Sequence, residues 1–380
     1  MSTLPPAAQA HGREAVVFND ALSGRPVLRL TSAAAISHHI YPEAMTFTPD
    51  GNQVLFWRAR GQDWYSDIFL ADLQSRTIRA LTDEAKRGEG ACYGPTVSPD
   101  GEAVYYMVFD PPQVELRRVS LKTFERQRLM TLPAARRLYV LGTLSPDGRH
   151  YVTGLTPPEG DPQVLRVDLD TGEQEVIYSS PDVFNPHPVW DPSGADWVLV
   201  QENTDYQLTE RGSRMTGGLG ARLIVMRPDG SDVRELDVGR RKTEWIQGHQ
   251  TWRGESGEVV ATVVRQRTGA GPRRSDVILG LTPDGGRRVV AAGHSFWHIG
   301  SDASGKWLSS DMTGTGLLYI VDAETGACKF VCASESSCGA PQYTHPHPAL
   351  SPDARWLVFN SDRTGLAQLY ATNIADLTGA

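Results

Sequence analysis

A turn that keeps returning limits what this chain can fold into. Thr48-Pro49-Asp50-Gly51 recurs as Ser98-Pro99-Asp100-Gly101, as Ser145-Pro146-Asp147-Gly148 and as Ser351-Pro352-Asp353-Ala354. Weaker copies are Asp191-Pro192-Ser193-Gly194, the stretch 252–257 and Asp302-Ala303-Ser304-Gly305. The turn residue falls at 51, 101, 148, 194, 257, 305 and 354, with gaps of 50, 47, 46, 63, 48 and 49 residues. Proline pre-sets φ and glycine supplies a positive φ, so each copy reads as a tight turn. Short β-rich runs follow, such as 53–57 and 67–71, and long helical periodicity is absent. A period near fifty built only from strands is that of one four-stranded blade. The expected fold is therefore all-β, a seven-bladed β-propeller occupying 1–380 as a single domain. The last repeat ends near Ile374, one strand short. The segment 26–30 is expected to supply that strand, closing the ring by pairing the N- and C-terminal strands. The 63-residue gap holds 202–220, read as an extended loop between the fourth and fifth blades.

Composition narrows the partners. Hydrophobic residues make up 40% and charged residues 22% of 380, an ordinary globular balance. A net charge of −8 argues against nucleic acid and anionic membranes as partners, so an acidic ligand would need a local site. No apolar run near the start resembles a leader, and none is long enough to span a bilayer, so the expected location is the cytoplasm. Cys92, Cys328, Cys332 and Cys338 lack C-x-x-C spacing and read as thiols in a reducing compartment. There is no G-x-S-x-G elbow, P-loop or dinucleotide fingerprint. Asp50, Asp100, Asp147 and Asp353 are turn aspartates rather than acid/base groups.

The histidines carry the chemical signal. His187, His298 and His347 each stand seven residues before their turn residue, and His249 stands eight before Gly257. Ala44, Gly94 and Leu141 hold this place in the first three repeats. In a propeller the strand before this turn is the innermost, and its start opens at one mouth of the central channel. Imidazoles there converge on a common axis. His345 lies two residues before His347 and would share its side in an extended strand. A single such histidine is more often a packing residue, but four in one register plus His345 favour a metal site. His38 and His39 fall near the same face without sharing the register. Tyr41, Trp252 and Trp297 could line the cleft or pack between blades.

Several motifs resemble those of one family. They are Gln342-x-x-His345-x-His347-Pro348 followed by Asn360-Ser361-Asp362, and Arg222-Leu223-Ile224 followed by Gly248-His249-x-x-Trp252. His298 ahead of Gly305, and His38-His39-x-Tyr41, complete the set. Together, from about His38 to Ile374, they resemble the oligogalacturonate lyases, with a departure at Gln250, where that family tends to carry Glu. The resemblance implies a lyase using a divalent metal of the manganese type, held by His298, Gln342, His345 and His347. It implies His249 as Brønsted base and Arg222 as a catalytic and substrate-binding helper, with His38, His39, Tyr41 and His187 also touching substrate. The implied substrate is an acidic oligosaccharide: short oligogalacturonides, including unsaturated digalacturonate.

The chemistry is coherent. β-Elimination needs an acidified C5 proton beside the uronate carboxylate, a base to remove it, and departure of the C4 oxygen. A cation can stabilise the developing charge, a histidine can be the base, and an arginine can hold a carboxylate. Two other readings remain open on sequence alone: a lyase for another uronate, and a non-catalytic TolB-like binding propeller.

Overall fold

The β-branched and aromatic runs after each turn form strands buried on both faces. Gln53–Ala59, Val198–Asn203, Val259–Val264 and Trp307–Met312 bury almost every residue. Such strands need a packed layer on each side, and neighbouring sheets supply it. The computed structural model describes residues 2–4, 10–39, 41–59, 66–204, 206–209, 212–215, 221–238, 244–264, 275–339 and 341–380. Among the described residues the structure is all-β, its α-helices being four-residue turns at Glu84–Arg87 and Ala375–Thr378. No helix among the described residues is long and apolar enough to cross a membrane.

Consecutive antiparallel sheets follow the repeat order. One strand, Arg287–Ser301, joins two repeats: its first part pairs with Ser275–Leu281 and its second with Trp307–Met312. In the last sheet, Pro26–Arg29 pairs with Gln368–Asn373 through Tyr370 opposite Arg29 and Ala371 opposite Leu28. The N-terminal strands Ser2–Leu4 and Ala10–His11 cover the outer edges formed by Arg126–Leu132 and Ile78–Ala80. Covered edges are unavailable for intermolecular strand pairing.

The core lies between sheets. Seven apolar clusters are found among the described residues, each joining one repeat to the next. The cluster of Leu28, Val54, Phe56, Phe69, Val358 and Leu369 joins the last sheet to the first.

Inside the repeated turns a serine or threonine hydroxyl donates to the turn aspartate, at 2.5 Å for Ser98 to Asp100 and 2.6 Å for Ser351 to Asp353. The turn aspartates are structural.

The 202–220 segment is a correction. Val198–Asn203 and Ala221–Met226 are paired neighbours in one sheet, with Glu202 opposite Arg222. The segment therefore connects two strands of the fourth repeat instead of leading to the fifth. Its described part contains the hairpin Tyr206–Thr209 with Gly212–Met215. A long gap between turns does not reveal which connection within the repeat is lengthened.

A buried ionic network ties the first two repeats together. Arg126, fully buried, donates to Asp83 at 2.7 Å and Glu84 at 3.0 Å, and Arg117 donates to Glu84 at 2.8 Å. Asp67 accepts the main-chain N–H groups of Ala85 and Lys86, both at 3.1 Å. Removing one partner strands a desolvated charge. Arg126→Met is expected to destabilise the fold by about 3–5 kcal/mol in urea unfolding. An unchanged midpoint would show that the network contributes little.

Candidate functional site

Local irregularities present the histidines. His249 lies in Trp245–Trp252 where the register shifts between Ile246 and Gln250, and His298 lies where Arg287–Ser301 shifts between Phe296 and Ile299. Such irregularities re-aim a side chain that the regular pleat would send elsewhere. Gly248 has φ +84°, and a Cβ there would meet the Gln201 amide at 2.4 Å. His345 and His347 are not in a strand, contrary to the alternation argument. Gln342–Thr344 forms a 3-10 turn, His345 is extended, His347 is left-handed at φ +43°, and the strand begins only at Ala349. His187 is left-handed too, at φ +45°. The shared register position is thus a kink at the entry to the inner strand in these two repeats.

The kinked segments are held from behind. The Asn360 side chain accepts the His39 N–H at 2.6 Å and donates to the His345 carbonyl at 3.2 Å. Its main-chain N–H donates to the Pro346 carbonyl at 2.8 Å. His298 donates its Nδ1–H to the buried Asp311 carboxylate, 3.0 Å from each oxygen, and its main-chain N–H reaches the same group at 2.9 Å. His345 donates Nε2–H to the Gly339 carbonyl at 2.9 Å. These bonds fix the tautomers: His298 keeps its lone pair on Nε2 and His345 keeps its own on Nδ1.

Those atoms, with both ring nitrogens of His347, have no hydrogen-bond partner although buried. One ligand nitrogen from each of His298, His345 and His347 lies within 4.8 Å of the others. An unsatisfied buried polar atom costs about 1–3 kcal/mol, so three lone pairs converging without donors fit a cation. Burial, reinforced by the neighbouring imidazoles, holds His345 and His347 below the ordinary histidine pKa, leaving both neutral and able to ligate. Gln342, an exposed residue, lines a small cavity with His347 and also the larger one with His249. Asp67, Glu84 and Cys92 also lie close together, but Arg117 and Arg126 already supply positive charge to Glu84 and its neighbour Asp83, so we read them as structural.

Next to the cluster stands His249, its ring 4.4 Å from that of His298 and its Nδ1 without a partner. Burial is the main cause lowering its pKa, and His298, His187 and His345 add to it. It lines a cavity of about 710 Å³ with Tyr41, His187, Gln201, Asn203 and Gln342. Tyr41 stands between rings, 4.9 Å from His187 and 4.8 Å from His347. His187 is bound on both nitrogens: Nδ1–H to Glu43 at 2.5 Å, and Nε2 accepting from Asn185 at 2.7 Å. His38 packs 5.4 Å from the Trp57 ring and borders the small cavity, with burial pushing its pKa down to about 4.

Two expected site residues are engaged in other bonds. The His39 ring bonds Thr46 within the first repeat at 2.7 Å, its main-chain N–H ties it to Asn360 of the last repeat at 2.6 Å, and the residue borders the small cavity. Arg222 lines neither cavity. It pairs with Glu202 at 3.0 Å and Glu235 at 3.6 Å, and Tyr178 holds Glu202 from the other side at 2.8 Å.

The sequence motifs do not include Asp311, and they contain Asn360 without showing its supporting role. Both stand six residues after their turn residue, so the count that found the histidines going backward finds their supports going forward. Second-sphere carboxylates typically change metal affinity about 10–100-fold. Asp311→Asn is accordingly expected to weaken manganese binding by about that factor while the far-ultraviolet circular dichroism stays unchanged. Unchanged affinity would remove Asp311 from the site.

Comparison with known proteins gives the geometry a context. A family model described as oligogalacturonate lyase matches residues 13–147. An oligogalacturonide lyase of Pectobacterium atrosepticum is 24% identical over 94% of this chain and 96% of its own length. Over nearly its whole length the chain is similar to the oligogalacturonate lyases. A solved oligogalacturonate lyase from Vibrio parahaemolyticus shares its fold, with TM-score 0.75 and 22% identity over 96% of this chain and 98% of that one. A second solved oligogalacturonate lyase, in complex with manganese, gives TM-score 0.76 and 24% identity over 96% of this chain and 97% of that one. Among such relatives the likeness spans nearly the whole chain, and every histidine of the cluster falls inside it.

Proposed function

We propose that this chain is a divalent-metal-dependent lyase, manganese being the fitting ion, that cleaves short oligogalacturonides by β-elimination. Its scaffold, in this reading, is a single seven-bladed propeller over 1–380 closed by its two ends. The apolar cluster linking the last sheet to the first, and the pairing of Pro26–Arg29 with Gln368–Asn373, support that closure. The observation that carries the function is the trio of unsatisfied imidazole nitrogens within 4.8 Å, next to a further histidine, His249, whose Nδ1 has no partner, at one cavity.

His298, His345 and His347, with Gln342, would hold the ion. When bound, it supplies positive charge against the uronate carboxylate. His249 would take the C5 proton at its free Nδ1 while the C4–O bond breaks, a C4=C5 double bond forms and the departing oxygen takes a proton from water to leave as a hydroxyl. Neutral ligands leave the local charge positive, which draws an anionic sugar to a protein of net charge −8. Tyr41 and His187 border the same cavity and would contact the sugar, with His38 beside the ion. Arg222 would take part only by releasing Glu202 and turning toward the cavity. Four free cysteines suit a cytoplasmic enzyme.

Ultraviolet absorbance tests the reading. The conjugated product of elimination absorbs, and saturated trigalacturonate does not. A manganese-dependent rise abolished by chelator is the expected result. Metal-loaded protein that produces no rise would sink the assignment.

A further inference from the structure

The cavity has a second, cationic wall that the reaction does not use. Arg136 and Arg137 stand where the third repeat begins, at the start of Arg137–Leu144, and line the 710 Å³ cavity together with Asn185, His187, His249 and Gln342. Several strand arginines are neutralised: Arg58 by Glu14, Arg117 by Glu84, Arg222 by Glu202, Arg288 by Glu258. Arg136 and Arg137 have no carboxylate partner among the described residues. In a chain with 45 acidic and 37 basic residues, two adjacent uncompensated guanidiniums facing one cavity mark a place for an external anion.

The wall is built to hold its shape. The Arg137 guanidinium lies over the Phe184 ring at 5.0 Å, which fixes its plane and leaves its N–H groups free. Tyr139, beside it, is locked by a hydroxyl bond to Thr156 at 2.7 Å and an edge contact with Phe184 at 5.2 Å. Asn185 links this wall to the histidines through its bond to His187 at 2.7 Å. A planar guanidinium binds a carboxylate through two parallel hydrogen bonds. The cavity volume falls within the range that holds ligands of more than one ring.

We propose that Arg136 and Arg137 form a subsite for the carboxylate of a second uronate unit, next to the unit held at the histidines. The inference rests on the lyase reading above. It makes a run of acidic sugars, rather than a single terminal uronate, the ligand recognised.

The test compares wild type, Arg136→Ala/Arg137→Ala and Arg137→Lys, all manganese-loaded, on trigalacturonate and on its partial methyl esters. The double variant should raise KM about tenfold or more, leave kcat within about threefold, and bind manganese as wild type does. It should also lose the preference for free acid over ester, and Arg137→Lys should recover part of it. A merely structural role would move stability and kcat but not that preference. If wild type cleaves trigalacturonate and the double variant keeps its KM and its preference, the subsite is wrong and the lyase reading stands. If metal-loaded wild type cleaves no oligogalacturonide, the lyase reading falls and this subsite falls with it.

Discussion

His347→Leu is expected to abolish manganese binding and activity while leaving the metal-free protein as stable as wild type, or slightly more so. The two effects have one cause. Both ring nitrogens of His347 are buried without partners. A buried polar group of this kind is unfavourable unless something binds it, and an apolar residue of similar size removes the unsatisfied atoms. Two histidines and an amide remain after the substitution, too few to hold the ion. Wild type should gain about 2.7 kcal/mol when manganese is a hundredfold above Kd, seen as a rise in Tm, and the variant should gain nothing. His298→Ala should also lose the metal, but should be less stable without it, because Asp311 then loses the imidazole that binds both its oxygens. A His347→Leu protein whose Tm still rises with manganese would place the ion elsewhere.

The contrast between these two histidines shows how much the sequence could tell. Counting back from the turns located His187, His249, His298 and His347 together, since a repeat protein converts sequence offset into spatial position. The same count could not say how each ring is aimed. His345 and His347 were expected to share a strand face, and instead a 3-10 turn and a left-handed residue bring them together. That aim depends on Asn360 and Gly339, which act from other points of the chain. Arg222 illustrates the opposite limit. Its place in the strand could be read, but its engagement with Glu202 arises from pairing across a connection whose ownership the repeat spacing hid. Arg136 and Arg137 lie outside every motif, and only the cavity joins them to the histidines.

His249→Ala should keep its manganese, keep the manganese-induced rise in Tm, and lose about 10²–10⁴-fold in kcat. The separation follows from where the nitrogens lie. The ligand atoms within 4.8 Å of one another come from His298, His345 and His347, and His249 is not among them. Its ring still touches His298 at 4.4 Å, close enough to act on a sugar held there. Burial keeps the ring neutral, so its unpartnered Nδ1 has a lone pair to accept a proton. His187 lies at the same cavity but cannot substitute, because Glu43 and Asn185 occupy both of its nitrogens. Added imidazole should therefore restore part of the turnover to His249→Ala, since the missing ring leaves space beside the cavity, and should do nothing for His347→Leu. Turnover within about tenfold of wild type in His249→Ala would take the base role away from this residue. The next candidate would then be His187, freed by a substrate that displaces Asn185, and Asn185→Ala would raise its activity instead of lowering it.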